Sequence, residues 1–164
     1  MVMRLSAAIC GATIVFVCSS VAMARSEIRA VHSYDSGRST TTMVGAASMY
    51  NPCRPGYREG SLETASGERY DPSGWAAAIQ INLRENFGGV RPGKSASYAM
   101  VEGMNKKVIV KINDVGPLMP GRIIDFNERT MRYFDPSLRL GLIQNVKVTR
   151  LYGDDWTPGP IAEK

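Results

Sequence analysis

The sequence predicts a mainly β fold, a small barrel with one or two short helices, on three observations. Lys107–Ile112 places Val108, Val110 and Ile112 on one face by alternation, and Asn145–Thr149 does the same with Val146 and Val148, so each reads as a strand with one buried face. Sixteen glycines and nine prolines among 164 residues supply turns at a density that suits short strands and disfavours a long helical bundle. Neither a heptad pattern nor an internal repeat suggests another architecture.

From the N-terminus, Arg4 precedes an apolar run from Leu5 to Val17, and Ala22 and Ala24 form a small-residue ending. This is the pattern of a secretory signal peptide cleaved after Ala24. A membrane-spanning helix needs about 20 uninterrupted apolar residues, and Ser19 and Ser20 close this run early. Cys10 and Cys18 follow the bulky Ile9 and Val17, where a lipid-attachment signal wants a small residue. The expected product is exported to the periplasm or cell envelope, not lipidated, with no stable membrane anchor. Cleavage removes one arginine and no acid, so the net charge falls from +5 to +4. That charge is spread along the chain, and nucleic acid is not an expected partner.

Cys53 is then the single cysteine and His32 the single histidine. A lone thiol cannot staple its own fold, so stability must come from core packing. His32 lies in the polar stretch 25–42, which reads as a flexible lead-in, and this argues against a Cys–His nucleophilic pair. Zinc wants several such ligands. No metal and no cofactor is therefore expected.

Order is expected over residues 43–153, with 154–164 a tail broken by Pro158 and Pro160. Val44–Tyr50, Ser97–Val101 and Arg122–Ile124 are shorter strand candidates. A helix is expected after Ile124, where Asp125 and Glu128 stand at capping-box spacing and Phe126, Thr130 or Met131, and Phe134 form an inward stripe ending before Pro136. Gly74–Asn82 is ambiguous: its apolar run, Trp75 to Ile79, suits a second helix or a buried strand equally.

Three segments carry the distinctive chemistry: Gly45-Ala-Ala-Ser-Met-Tyr50, Thr64-Ala-Ser-Gly-Glu-Arg-Tyr-Asp71, and Ile112-Asn-Asp-Val-Gly-Pro117 followed by Pro120-Gly-Arg-Ile-Ile-Asp125. In this order they resemble the RlpA-like family of septal ring lytic transglycosylases, whose motifs read G-x-A-S-W-Y-G, T-A-N-G-E-x-Y-D, A-A-H, I-N-D-R-G-P and G-R-x-I-D-L-S. The resemblance covers most of residues 43–151 and implies a six-stranded double-psi β-barrel, shared with expansin- and barwin-like domains. It also implies endolytic cleavage of peptidoglycan glycan strands to leave 1,6-anhydromuramic ends. Glycan strands would be the partner, with divisome proteins as conceivable further ones, and the mild positive charge suits a wall bearing anionic stem peptides.

Breaking a glycosidic bond calls for an acid that protonates the departing oxygen while positive charge builds at the anomeric carbon. In a transglycosylase the sugar's own 6-hydroxyl then attacks, so one carboxyl can serve as acid and then base. Asp114, held in a turn stiffened by Gly116 and Pro117, is the leading candidate; residue chemistry alone allows a turn aspartate bonding to backbone. Glu68 matches the motif glutamate and is its expected partner, tuning Asp114 or steadying the oxocarbenium-like state. Tyr50, Thr64, Tyr70 and Asn113 are carried over as substrate-binding residues, although core packing is the commoner fate of such tyrosines. Asp125 reads as a helix cap, and Arg122 as its ion-pair partner or a surface charge.

Two motif positions depart from the family. The motif histidine falls on Ile79, and the tryptophan of the first motif is Met49. Gln80–Gly93 is also longer than the family's connection, so Gln80, Asn82, Arg84 or Glu85 are candidates for a substitute group. The alternative function is an expansin-like module that binds peptidoglycan without cutting it. A third reading, a barwin-like secreted inhibitor, is disfavoured by the missing disulfide cysteines.

Overall fold

A computed structural model describes residues 28–35, 38–56 and 61–162. The expected signal peptide lies outside them. Among these described residues eight strands and one α-helix follow in order: β1 (Arg29–Asp35), β2 (Arg38–Met49), β3 (Ala76–Gln80), β4 (Ser97–Gly103), β5 (Lys106–Gly116), β6 (Arg122–Phe126), α1 (Glu128–Phe134), β7 (Ile143–Leu151) and β8 (Gly159–Pro160). Six of the strands close a barrel, β2-β6-β3-β5-β4-β7, because β7 pairs back onto β2. The pairs β2–β6 and β3–β5 are parallel and the other four antiparallel. This is the mixed, closed sheet expected of a double-psi β-barrel.

The two alternating runs are the inner halves of β5 and β7. Val108, Val110, Ile112, Val146 and Val148 are each at most 1% exposed. Burying such a side chain contributes roughly 1.5–3 kcal/mol, so these rows hold the barrel without a disulfide. The β4–β5 hairpin turns through Met104 and Asn105, both at positive φ, as a two-residue loop matching strand twist requires. Gly45 is set by contact: a Cβ there would lie 2.7 Å from Ile123 Cγ2 and 3.0 Å from the Gly121 carbonyl oxygen.

The ambiguous Gly74–Asn82 segment forms strand β3. It runs between β5 and β6, so neither edge nor face is left for solvent, and the alternation that marks a half-exposed strand is lost. Ala77 and Ile79 enter the main core, whereas Ala78 packs with Tyr50 and Tyr70 in a separate small cluster.

The expected helix starts two residues later than the capping-box spacing suggested. Asn127, not Asp125, is the cap, its Oδ1 accepting from Thr130 N at 3.2 Å. Asp125 and Phe126 belong to β6. Thr130, Met131 and Phe134 face inward as expected, and Phe134 stacks on Phe126 with ring centroids 5.4 Å apart.

The polar stretch read as a flexible lead-in carries β1 and the start of β2, paired antiparallel from Arg29↔Val44 to Asp35↔Arg38. The tail also pairs: β8 lies against β5, and Ile161 N donates to the Lys107 carbonyl at 3.0 Å. Among the described residues no helix is long and apolar enough to cross a membrane.

Candidate functional site

The second motif folds as a tight turn. Thr64 N donates to the Glu68 carbonyl at 2.8 Å, Gly67 N returns a bond to the Thr64 carbonyl at 2.8 Å, and Gly67 takes φ of 84°, which a side chain would oppose. The turn docks on β5. Ser66 N reaches the Asn113 carbonyl at 3.0 Å, and Ala65 N donates to Asp114 Oδ1 at 2.9 Å. Val115 N donates to the same oxygen at 2.9 Å. Two motifs nearly 50 residues apart thus meet, and their contact fixes the Asp114 carboxylate.

Register adds a second carboxylate. Ala78 of β3 pairs with Asp114 of β5 on one side and Asp125 of β6 on the other, while Asp125 pairs with Ser48 of β2. With strands about 4.8 Å apart, the two aspartates flank a single alanine. An irregularity in the β3–β5 register between Ala77 and Ala78 sets Asp114 opposite Ala78, as bulges beside functional sites commonly re-aim a side chain. The Ser48 hydroxyl donates to Asp125 Oδ1, and Arg122 in turn donates to the Ser48 hydroxyl at 3.2 Å. Arg122 therefore reaches Asp125 through the serine.

Tyr50 joins the row. Its phenol is hydrogen-bonded to Asp114, and burial, then the Asp114 charge and hydrogen bond, with a smaller contribution from Asp125, push it far above the ordinary tyrosine value. It stays a proton donor at any physiological pH. Tyr70 packs edge-on against it, ring centroids 5.0 Å apart, and its hydroxyl donates to the Tyr50 carbonyl at 2.8 Å. Burial likewise raises the Tyr70 phenol. Both rings are buried, yet both border a shallow groove.

That groove, about 200 Å³, is lined by Tyr50, Glu68, Tyr70, Trp75, Lys111 and Asn113 among others. It is smaller than the roughly 300–1,000 Å³ of enclosing ligand sites. Asp114 does not line it but contacts Tyr50, which does. Glu68 is ion-paired with Lys111 and accepts from Asn113 Nδ2 at 3.3 Å. The Lys111 hydrogen bond, outweighing burial, holds its carboxyl below the usual glutamate value. Glu68 is therefore ionised at neutral pH. Asn113 Oδ1 is buried without a hydrogen-bond partner, an acceptor that a bound donor would satisfy.

Thr64 is buried and does not line the groove. Its hydroxyl donates to the Glu68 carbonyl at 2.9 Å, which makes it a brace of the turn. Ile79 is 0% exposed. None of the four candidate substitutes lines the groove. The Gln80 amide bridges to the Leu118 backbone, Arg84 Nε donates to the Val90 carbonyl at 2.8 Å, Asn82 is exposed, and Glu85 lies against Gly89. Met49 packs on the core from its partly buried position. Asp125, expected as a helix cap, instead stands in β6 across Ala78 from Asp114, and its place two residues before Asn127, the cap, is the signal the sequence offers.

The family model described as lytic transglycolase matches residues 42–148, which takes in the barrel from β2 to β7. The chain belongs to that family. The lytic transglycolase barrel also superposes on a Streptomyces papain inhibitor (SPI) with a TM-score of 0.51 at 17% identity, covering 68% of this chain and 94% of that one. At that identity the likeness speaks for the fold. No curated protein matches the sequence. The motif order read from the sequence and the family match agree, and the structure adds that the motif residues 50, 65, 68, 113 and 114 converge.

Proposed function

We propose that this barrel is exported, binds peptidoglycan glycan strands along the Tyr50–Asn113 groove, and cleaves them as an endolytic transglycosylase. Asp114, partly exposed beside Tyr50 at the margin of the groove, carries the proton. It protonates the glycosidic oxygen as the C1–O bond breaks, then accepts the proton of the 6-hydroxyl as that oxygen bonds to C1, so no water enters and the acid is regenerated. The observation that carries this reading is the clustering of the Asp114 carboxylate, two fixed backbone donors, the Tyr50 phenol and Asp125 around Ala78. Tyr50 orients the carboxyl as a donor that does not itself titrate. Glu68, charged at neutral pH beside Lys111, shapes the groove and takes no part in proton transfer.

Residues 25–164 incubated with peptidoglycan should release 1,6-anhydromuramic ends, and Asp114→Asn should abolish them. The second reading, a binding module, is favoured by Ile79 occupying the motif histidine's position inside the core. Strands that bind with no new ends would establish it.

A further inference from the structure

Residues 152–162 lie beyond the stretch that the family model matches, yet they form a strap on the barrel. The strap's far end pairs as β8 with β5, through Val108↔Pro160 and Ile109↔Gly159, and Ile161 N bonds the Lys107 carbonyl. Pro158 lines the main groove. A Cβ on Gly159 would sit 3.7 Å from Trp75 Nε1, so the strap also rests against a second residue of the groove. The wall at this end is therefore made in part by the C-terminal segment.

The strap carries two large rings toward solvent. Tyr152 is 39% and Trp156 38% exposed. Both are held in place: Trp156 Nε1 donates to the Tyr152 carbonyl at 3.0 Å, and the Arg150 guanidinium lies 4.6 Å from the Tyr152 ring centroid. An indole fixed in this way yet more than a third exposed is a preorganised apolar surface. Trp156 stands two residues before Pro158, at most about 7 Å along the chain. It is bracketed by Asp155 and Thr157, both exposed. A sugar ring is the complement of that combination, with C–H faces that pack on an aromatic surface and hydroxyls that bond a carboxylate and a hydroxyl beside it. A protein partner would call for a contiguous apolar patch, which Asp154, Asp155 and Thr157 interrupt, and the two aspartates disfavour a polyanion.

We infer that Trp156, with Asp155 and Thr157, forms an outer subsite for an uncharged sugar of a glycan strand that leaves the groove past Pro158. The subsite makes the protein favour long strands over short ones, because a short one ends before it reaches the indole. This rests on the glycan reading proposed above.

The test is binding by residues 25–164 carrying Asp114→Asn, so that strands stay whole, to two peptide-free probes: the single repeating disaccharide, too short to leave the groove, and long strands. The parent should bind the long strands tighter. Adding Trp156→Ala should weaken long-strand binding roughly 5- to 30-fold, the usual loss on removing a stacked ring, with disaccharide binding unchanged and thermal melts showing an intact barrel. Trp156→Phe keeps a ring without the indole N–H and should retain most of the long-strand affinity. Trp75 and Trp156 are the chain's two tryptophans, so the part of the emission change on adding long strands that Trp156→Phe removes is the signal of the outer subsite. Equal losses on both probes, or losses as large with Trp156→Phe as with Trp156→Ala, would overturn the subsite and assign Trp156 to support of the strap. Unchanged long-strand binding by Trp156→Ala would overturn it too and leave the glycan reading standing. A parent that binds neither probe would overturn the glycan reading itself.

Discussion

Replacing Ile79 by histidine restores the residue type that the family's motif carries, and the barrel register says what this does. In β3 the side chains of Ala77 and Ile79 turn into the main core while Ala78 turns toward Tyr50 and Tyr70. A histidine at 79 therefore meets the core and not the Asp114 row. The isoleucine is 0% exposed, and its loss removes part of the roughly 1.5–3 kcal/mol its burial contributes. Ring nitrogens without partners in that core cost roughly 1–3 kcal/mol more. A total near 3–5 kcal/mol lowers the thermal midpoint by roughly 12–20 °C in a domain of this size, at about 4 °C per kcal/mol. The sign with pH follows. Burial holds the imidazole neutral in the folded chain, whereas the unfolded chain takes up a proton near pH 6.5, so the deficit is smallest at pH 8 and widens as pH falls below about 6.5. Circular-dichroism melts at pH 5 and pH 8, beside an assay of anhydromuramic ends, read both consequences. A variant that melts within a few degrees of the parent and releases ends faster would refute the reasoning, because position 79 would then open on the groove.

Three other changes separate the roles assigned to the site. Glu68→Gln should reduce product formation by less than about tenfold, since an exposed ion pair contributes at most about 1 kcal/mol, where Asp114→Asn removes it entirely; equal losses would show that Glu68 moves a proton. Tyr70→Phe leaves the buried Tyr50 carbonyl without its donor, so urea titration should show about 1–3 kcal/mol less stability with product formation per folded molecule kept; a dead but fully stable variant would count against this. The Glu68 carboxyl is lowered in the folded chain, so its stabilising contribution is present above the unfolded value near 4.3 and is lost as pH falls through the folded one. Consequently the stability difference between the parent and Glu68→Gln, measured by melts between pH 7 and pH 2, should close toward the acid end.

The parts of this barrel most legible in its sequence were those with one wet face. Lys107–Ile112 and Asn145–Thr149 were legible because β5 and β7 bury every second residue, and the structure keeps that division, with Ile109 the one apolar residue on the outer face of these runs. β3 did not announce itself, since a strand hydrogen-bonded on both edges and covered on both faces needs only small apolar residues, and Trp75-Ala-Ala-Ala-Ile79 is what a helix would also accept. The β1–β2 hairpin was hidden for the opposite reason: Ser-Thr-rich residues give no apolar stripe, although threonine favours extended backbone. At the site, Asp114 and Glu68 were visible as motif acids, although Asp114 lies within β5 and not in the expected turn, and no sequence pattern shows that Lys111 neutralises Glu68, nor that Asp125 stands across Ala78 from Asp114. Those facts arise from register, which only the closed sheet defines.

The proton-shuttle role of Asp114 is most directly tested by digesting peptidoglycan with residues 25–164 in ¹⁸O-labelled water and weighing the new strand ends. Internal attack by the 6-hydroxyl predicts ends lighter by one water and free of label, and their absence with Asp114→Asn. Labelled, hydrated ends, or intact strands after full binding, would contradict it.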